Sequence, residues 1–302
     1  MMERPATQPA PSFVLAHLSD LHVTPVHVEN PRLLASKRLL GWLSWKRRRR
    51  HEHRPAVVSA LLTDLARVGA DHVAVTGDLT QLGLPGEVEE AASWLARIGP
   101  PERVSLVPGN HDAYAGNADP VRWAPWAAYM RGSEPTPGPR FPYLRRVGPL
   151  AIVGLSSARP SAPGLATGTL GAEQCTALEH ALIAAGREGR FRVVLVHHPP
   201  IAAGQSWRRR LTDAPALRAV LARAGAELVL HGHLHRTHME KLPGPAAPIP
   251  VLGVPSASSI GPRPERRARY HLYEIGTGTL RCNVRGYDPE SGCFAAEGAL
   301  PL

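Results

Sequence analysis

The sequence predicts an α/β fold: short buried strands alternate with amphipathic helices, and the strands end in clusters of polar side chains. Three observations carry this. Runs of β-forming residues stop abruptly at Asp, Asn and His. Segments with apolar residues at helical spacing lie between those runs. Pro and Gly bracket the helical segments, Pro in the first turn and Gly just past the end.

Taken in order, residues 1–12 form a loose Pro-rich lead, and Phe13 to Leu18 read as a strand stopping at Ser19-Asp20-Leu21-His22. Pro55 opens a helix with Val57, Leu61, Leu65 and Val68 on one side and Gly69 beyond it. A strand over His72 to Thr76 ends in Gly77-Asp78. Gly86 to Ile98 form a second helix, with Val88, Ala91, Trp94, Leu95 and Ile98 inward and acidic residues in its first turn. In Arg103 to Tyr114, RVSLVPGNHDAY, the strand residues Val104, Leu106 and Val107 meet a Pro-Gly break and then Asn110, His111 and Asp112. Ala115 to Pro142, with Trp123, Trp126 and the run GSEPTPGPRFP, read as a surface excursion.

Strands follow at Tyr143 to Val147 and Leu150 to Leu155, then a helix over Leu170 to Ala185 closed near Gly186. The strand Phe191 to Val196 stops at His197-His198-Pro199-Pro200. Thr212 or Asp213 caps a helix running through Ala224, and Glu227 to Leu230 lead into His231-Gly232-His233-Leu234-His235. Val251 to Val254, Tyr270 to Ile275 and Leu280 to Val284 are closing strands. No repeat or clean boundary interrupts the chain, so residues 13–290 read as one domain with a basic insertion at 31–54 and a tail at 291–302.

Composition narrows the chemistry. With 302 residues, 43% of them hydrophobic, a sizeable core can form. No apolar run approaches the ~18 residues of a membrane span, and the N-terminus lacks the apolar stretch of a secretory signal, so a cytoplasmic protein is expected. The cysteines Cys175, Cys282 and Cys293 are odd in number and lack metal-site spacing, which argues against a disulfide framework and a thiolate centre. A net charge of +10 favours anionic partners, and 15 histidines supply the commonest metal ligand.

An Asn-His-Asp run after Pro-Gly is, alone, an ordinary turn. Here five strand ends carry such knots: D-x-H, G-D, G-N-H-D, H-H-P and G-H-x-H. Strand ends on one edge of a sheet converge in space. Together they offer Asp20, His22, Asp78, Asn110, His197, His233 and His235, oxygen and imidazole donors suited to Mn, Fe or Zn. Seven donors exceed one tetrahedral ion and fit two ions sharing a carboxylate. His17 and His231 read as satisfied strand histidines. His51, His53, His72, His180 and His238 look exposed, and Asp71 looks solvated.

The ordered set LSDLH, TGDLT, PGNHD, HHPP and HGHLH resembles the calcineurin-like metallophosphoesterases, over Val14 to about His235. The resemblance implies a two-sheet β-sandwich flanked by helices, with a dinuclear site of two divalent ions (Mn²⁺, Fe²⁺ or Zn²⁺) at the strand ends. It implies that Asp20, His22 and His235 hold one ion, that Asn110, His197 and His233 hold the other, and that Asp78 bridges them. His197 is preferred over His198 on the same ground. A metal-bridging hydroxide would then attack phosphorus, with His111 over the phosphate and Asp112 orienting His111 from behind.

The implied substrate is a phosphodiester or pyrophosphate, nucleotide or lipid-linked. The pattern looks most like the cyclic-nucleotide and glycerophosphodiester phosphodiesterases. A membrane-associated pyrophosphatase resembling the UDP-2,3-diacylglucosamine hydrolases of lipid A synthesis is an alternative. A nuclease of the same superfamily is another, disfavoured because no coiled-coil segment accompanies it, and a non-enzymatic scaffold is disfavoured by the complete ligand set. The block Leu33 to Arg50, LLASKRLLGWLSWKRRRR, admits four readings: a helix at the inner face of an anionic membrane, a helix packed on the protein itself, phosphate-backbone contact, or a substrate lid. A second basic cluster runs from Trp207 to Arg210. Oligomeric state is not legible in the sequence.

Overall fold

The structure, a computed structural model, describes residues 12–22, 25–114, 120–134, 136–201, 205–261 and 263–302. All of the expected N-terminal lead except Ser12 therefore lies outside the described residues, as does the start of the expected excursion at 115–119.

Successive strand side chains point to opposite faces, and the central strands are buried on both, which builds the layers. The first sheet contains β1 (Phe13–Leu18), β2 (His72–Val75), β3 (Val104–Leu106), β10 (Arg269–Gly276), β11 (Thr279–Asp288) and β12 (Cys293–Leu300), in the order β12-β11-β10-β1-β2-β3. The second contains β4 (Tyr143–Val147), β5 (Leu150–Gly154), β6 (Phe191–Leu195), β7 (Leu228–His231), β8 (His238–Leu242) and β9 (Ile249–Gly253), in the order β4-β5-β6-β7-β9-β8. Both sheets are mixed. β1, β2 and β3 run parallel, as do β5, β6, β7 and β9, with antiparallel neighbours outside them.

Ile152, Val193, Leu195, Leu228, Leu230 and Leu252 share a core with Leu15, Leu18, Val75 and Leu106 of the other sheet. Their chain neighbours Val153, Val194, Val229 and Val251 join a second core on the opposite face. That core is closed by α5 (Ala172–Arg187) and α6 (Ala214–Ala224), through Leu178, Leu182, Leu217 and Leu221. The Tyr143 hydroxyl donates to the Leu106 carbonyl at 3.0 Å and ties one sheet to the other.

α3 (Pro55–Val68) starts on its proline and ends at Gly69, whose φ of 68° is the left-handed cap expected there. α4 (Pro85–Ile98) is fastened at its start by Glu87, whose carboxylate accepts from the amides of Gln81, Leu82 and Leu84 at 2.8, 3.0 and 2.9 Å. In-register pairing of Leu18 with Val75 and of Val75 with Leu106 makes β1, β2 and β3 release their chains at one edge. β6 and β7 do the same in the second sheet, with Leu195 opposite Leu230.

Three expectations are corrected. The segment Pro120–Met130 is not a surface excursion but a 3₁₀-helical stretch whose Trp123, Trp126, Tyr129 and Met130 are buried, with Trp126 donating to the Val88 carbonyl at 3.0 Å. Asp213 makes no side-chain cap on α6; its carboxylate accepts from Leu170 and Gly171 and so fastens the entry to α5. Residues 291–302 are not a free tail, because β12 pairs with β11 along most of its length, a pattern the exposed, Ala-rich CFAAEGAL conceals. The helix expected over Leu170 to Ala185 and closed near Gly186 is α5, Ala172–Arg187.

The insertion is helical. α1 (Arg38–Ser44) continues through a π-helical turn, Trp45–Arg49, into α2 (Arg50–Glu52). Trp42 and Trp45 face Val26, Leu82, Leu84 and Tyr114, while Leu39, Leu40 and Leu43 face outward. Arg38 donates to the Leu82 and Gly83 carbonyls at 2.9 and 2.8 Å at one end of this stretch. At the other, the Arg54 amide donates to the Ser258 carbonyl at 2.9 Å and His53 Nδ1 meets Ser258 Oγ at 2.8 Å.

Trp126 is fully buried and bridges α4 to the 3₁₀ segment, so Trp126→Ala is expected to cost about 3–5 kcal/mol. A urea titration with an unchanged slope and a midpoint shift of that size is the expected result.

Candidate metal centre

Five non-glycine residues among those described have positive φ: Asp20 (55°), His22 (46°), Asp78 (53°), His233 (69°) and His235 (50°). Each sits just past the end of β1, β2 or β7, and each is one of the expected donors. Holding such residues left-handed costs on the order of 1–3 kcal/mol apiece and persists only where the surroundings over-determine it. Here backbone bonds do so. The Asp20 amide donates to the Gly77 carbonyl at 2.8 Å and the His22 amide to the Asp78 carbonyl at 3.0 Å, lacing the first two strand ends together. Glycine is required where the third approaches: a Cβ on Gly109 would lie 2.5 Å from the Asp78 amide nitrogen. The glycine of the G-H-x-H run is likewise closed in, since a Cβ on Gly232 would lie 2.6 Å from Asp20 Oδ2.

Backbone carbonyls fix the tautomers of the imidazoles, and the tautomers decide where lone pairs point. His197 Nδ1 donates to the Thr76 carbonyl at 2.7 Å, so Nε2 turns its lone pair toward Asp78 Oδ2 and Asn110 Oδ1, both 3.3 Å away. His22 Nδ1 donates to the Thr80 carbonyl at 3.0 Å, leaving its Nε2 3.2 Å from His235 Nε2, 3.8 Å from Asp20 Oδ1 and 4.0 Å from Asp78 Oδ2. His235 Nε2 is itself 3.0 Å from Asp20 Oδ1. His233 Nε2 donates to the Arg209 carbonyl at 2.8 Å and keeps Nδ1 available. Acceptors thus face acceptors across two adjoining spaces, an arrangement that a cation would satisfy.

Asp78 belongs to both spaces. Its Oδ1 is anchored by the His111 amide at 2.7 Å, and its Oδ2 lies between His22 and His197. The electrostatics agree. Burial, then His53 and His111, hold His22 well below the usual imidazole range. Burial works against ionised Asp78, yet His197 and His111 outweigh it and keep that carboxyl ionised. Burial also works against protonated His197, but Asp78 beside it prevails and pushes the imidazole up to about 9. The residues therefore fit divalent ions, with Asp20, His22, Asp78 and His235 as one group of donors.

Among the residues singled out from sequence, the structure brings Asp20, His22, Asp78, Asn110, His197, His233 and His235 together at these strand ends. His198 also forms a potential donor group with His197 and His233, while its nitrogens meet Ser157 Oγ at 2.8 Å and the Ala166 carbonyl at 3.2 Å. His111 stands beside His22 with ring centroids 4.8 Å apart. Asp112 does not orient it. The His111 ring is held through Nδ1 by the Gln81 carbonyl at 2.6 Å, while Asp112 accepts from the Thr80 and Gly109 amides at 3.0 and 2.8 Å and so shapes the loop. Burial and then the Asp78 charge raise the Asp112 carboxyl to about 7.

Two residues of the site were missed. His53, expected to be exposed, is buried, with its ring 4.7 Å from that of His22, and it forms a further potential donor group with His22 and His235. Arg49, one cation of the block Leu33 to Arg50 and not singled out within it, places Nη1 3.0 Å from His111 Nε2. Burial and then this guanidinium push His111 down to about 4. The helical phase of the insertion held the signal for Arg49, since positions 38, 42, 45 and 49 fall on one side; nothing in the spacing marked His53. His72 is also buried, but it serves the core by meeting Ser105 Oγ at 2.8 Å.

The sequence profile of the calcineurin-like phosphoesterases matches residues 13–237. A probable cyclic nucleotide phosphodiesterase of Synechococcus sp. (strain ATCC 27144 / PCC 6301 / SAUG 1402/1) is 25% identical over 241 residues, covering 78% of this chain and 85% of the relative. A second probable cyclic nucleotide phosphodiesterase, from Synechococcus sp. (strain WH7803), is 34% identical over 96 residues, 31% of this chain and 36% of the relative. In fold, the chain superimposes on a dimetal phosphatase from Danio rerio with a TM-score of 0.60 at 12% identity, covering 92% of this chain and 96% of the other.

Because a methyl group on Gly109 would collide with Asp78, Gly109→Ala is expected to abolish stoichiometric Mn²⁺ uptake and to lower the melting temperature by several degrees. Elemental analysis after reconstitution, beside a thermal scan, reads both.

Proposed function

The chain belongs to the calcineurin-like phosphoesterases, and from that premise we propose that it is a dinuclear metal-dependent hydrolase of phosphodiester or pyrophosphate bonds. One observation carries the reading: the Asp78 carboxylate stands between two clusters of inward-facing lone pairs, as a bridging ligand must. Asp20, His22 and His235 would hold one ion, Asn110, His197 and His233 the other. Bound there, the ions supply a nucleophilic oxygen at neutral pH and polarise the phosphoryl group.

The remaining work falls to the chain. Thr76, Thr80 and Arg209 carbonyls keep three imidazoles in the ligating tautomer. Asp112 holds the loop bearing Asn110 and His111 against Thr80. His111 serves the leaving-group side. The names of the Synechococcus relatives favour a nucleotide diester as substrate.

A second reading, a lipid-linked substrate met at an anionic membrane surface, draws on the outward face of the insertion. Leu39, Leu40 and Leu43 are exposed ahead of the cations Lys46, Arg47, Arg48 and Arg50, and Trp207 is exposed beside Arg208. No helix among the described residues is long and apolar enough to cross a membrane.

With Mn²⁺ the protein is expected to hydrolyse bis-p-nitrophenyl phosphate faster than p-nitrophenyl phosphate; a monoester preference would overturn the diester reading. His111→Ala is expected to lower kcat about 100-fold or more while elemental analysis finds the metal content unchanged. Co-sedimentation with phosphatidylglycerol vesicles, lost in a Leu39→Ser/Leu40→Ser variant, is the outcome the lipid reading requires.

A further inference from the structure

The five strand-end runs that carry the family resemblance do not include His53, yet the insertion brings this imidazole to the metal centre. Helix α2 ends at Glu52, and His53 turns into extended backbone with φ of −92° and ψ of 127°. Two amide bonds then stitch the exit of the insertion to the segment around Ser258: Arg54 donates to the Ser258 carbonyl and Ile260 to the Glu52 carbonyl, both at 2.9 Å. Between these stitches His53 is 1% exposed, with its ring centroid 4.7 Å from that of His22 and 6.0 Å from that of His235.

A relay of hydroxyls decides which nitrogen of His53 faces the centre. A backbone carbonyl can only accept, so Ser256 Oγ, 2.6 Å from the Asp20 carbonyl oxygen, gives its proton there. Ser258 Oγ lies 3.3 Å from Ser256 Oγ and donates to it, which leaves Ser258 to accept from His53 Nδ1–H at 2.8 Å. Nδ1 therefore carries the proton and Nε2 the lone pair. The Thr76 and Thr80 carbonyls impose the same tautomer on His197 and His22. Metal-ligating histidines are held in this way, by a partner on the nitrogen that does not bind the ion. A ring serving only to pack against His22 has no need of the relay, since Phe or Leu would fill the space with no polar group to satisfy.

Distances allow the ring to ligate. The donor atoms of His22, His53 and His235 all lie within 4.8 Å of one another, and those of His22 and His235 are 3.2 Å apart. Around one ion with bonds of ~2.1 Å, donors at a right angle are about 3.0 Å apart and opposed donors about 4.2 Å, so small side-chain movements turn this triangle into a coordinated set. His198 offers a contrast, because Ser157 Oγ and the Ala166 carbonyl engage both of its nitrogens.

Resting on the dinuclear reading above, we propose that His53 is a further ligand, supplied by the insertion, of the ion held by Asp20, His22 and His235, and that this third imidazole biases the position toward Zn²⁺ or Fe²⁺ over Mn²⁺. Imidazole suits zinc and iron, whereas carboxylate and carbonyl oxygens suit manganese. The insertion then has a part in choosing the metal as well as in walling the site.

The test reads coordination on the full chain reconstituted with Co²⁺. Each neutral imidazole bound to high-spin Co²⁺ keeps one N–H, which appears as a strongly shifted, solvent-exchangeable proton resonance. His53→Phe, which keeps a ring against His22, is expected to lose one such resonance at equal metal content. Chelator competition should show Zn²⁺ affinity at that position about 100-fold weaker in His53→Phe, and Mn²⁺ affinity weaker by less than about 10-fold. His53→Gly should regain the resonance and the Zn²⁺ affinity in added imidazole, and it carries the comparison if His53→Phe does not fold. An unchanged set of shifted resonances in His53→Phe would overturn the ligand assignment. Equal losses of Zn²⁺ and Mn²⁺ affinity would overturn the selectivity. A wild type that takes up fewer than two ions would overturn the dinuclear reading on which the assignment rests.

Discussion

The molecule is arranged around a conflict of like with like: buried carboxylate, amide and imidazole acceptors turned toward one another. His197 cannot escape it by changing tautomer, because the Thr76 carbonyl holds its other nitrogen, and the Thr80 carbonyl does the same for His22. Left-handed backbone at Asp20, His22, Asp78, His233 and His235 adds strain to the same few positions. A fold would not collect both costs in one place for stability, since apolar packing would serve better. The strain and the acceptors make sense together as a cage shaped before its cations arrive.

What makes the cage affordable is the register of the sheets. β1, β2 and β3 end level with one another, as do β6 and β7, so residues from Asp20 to His235 meet without any long loop having to find its partner. The two sheets share a core through residues such as Leu106, Leu195 and Leu230, which sets one row of strand ends against the other.

Much of this was legible in the sequence because it is local. Val104 to Asn110 shows a strand, a break and a candidate ligand within a few residues, and the other knots repeat that grammar. What escaped depended on long-range partners. Asp112 looked like the orienter of its neighbour His111, yet adjacency along a turn sends its carboxylate to Thr80 and Gly109 instead. β12 escaped because an edge strand with one exposed face carries little apolar alternation. Trp123 and Trp126 were assigned to the surface because Pro and Gly surround them, although large aromatics in such a run can be the plug of a core. His53 gave no local sign, since its burial is made by Ser258, some two hundred residues away.

The insertion is fastened at both ends, by Arg38 to the Leu82 and Gly83 carbonyls and by Arg54 and His53 to Ser258. A segment clasped in this way carries its tryptophans and Arg49 into place together, so a change at either clasp would be felt along the whole helix.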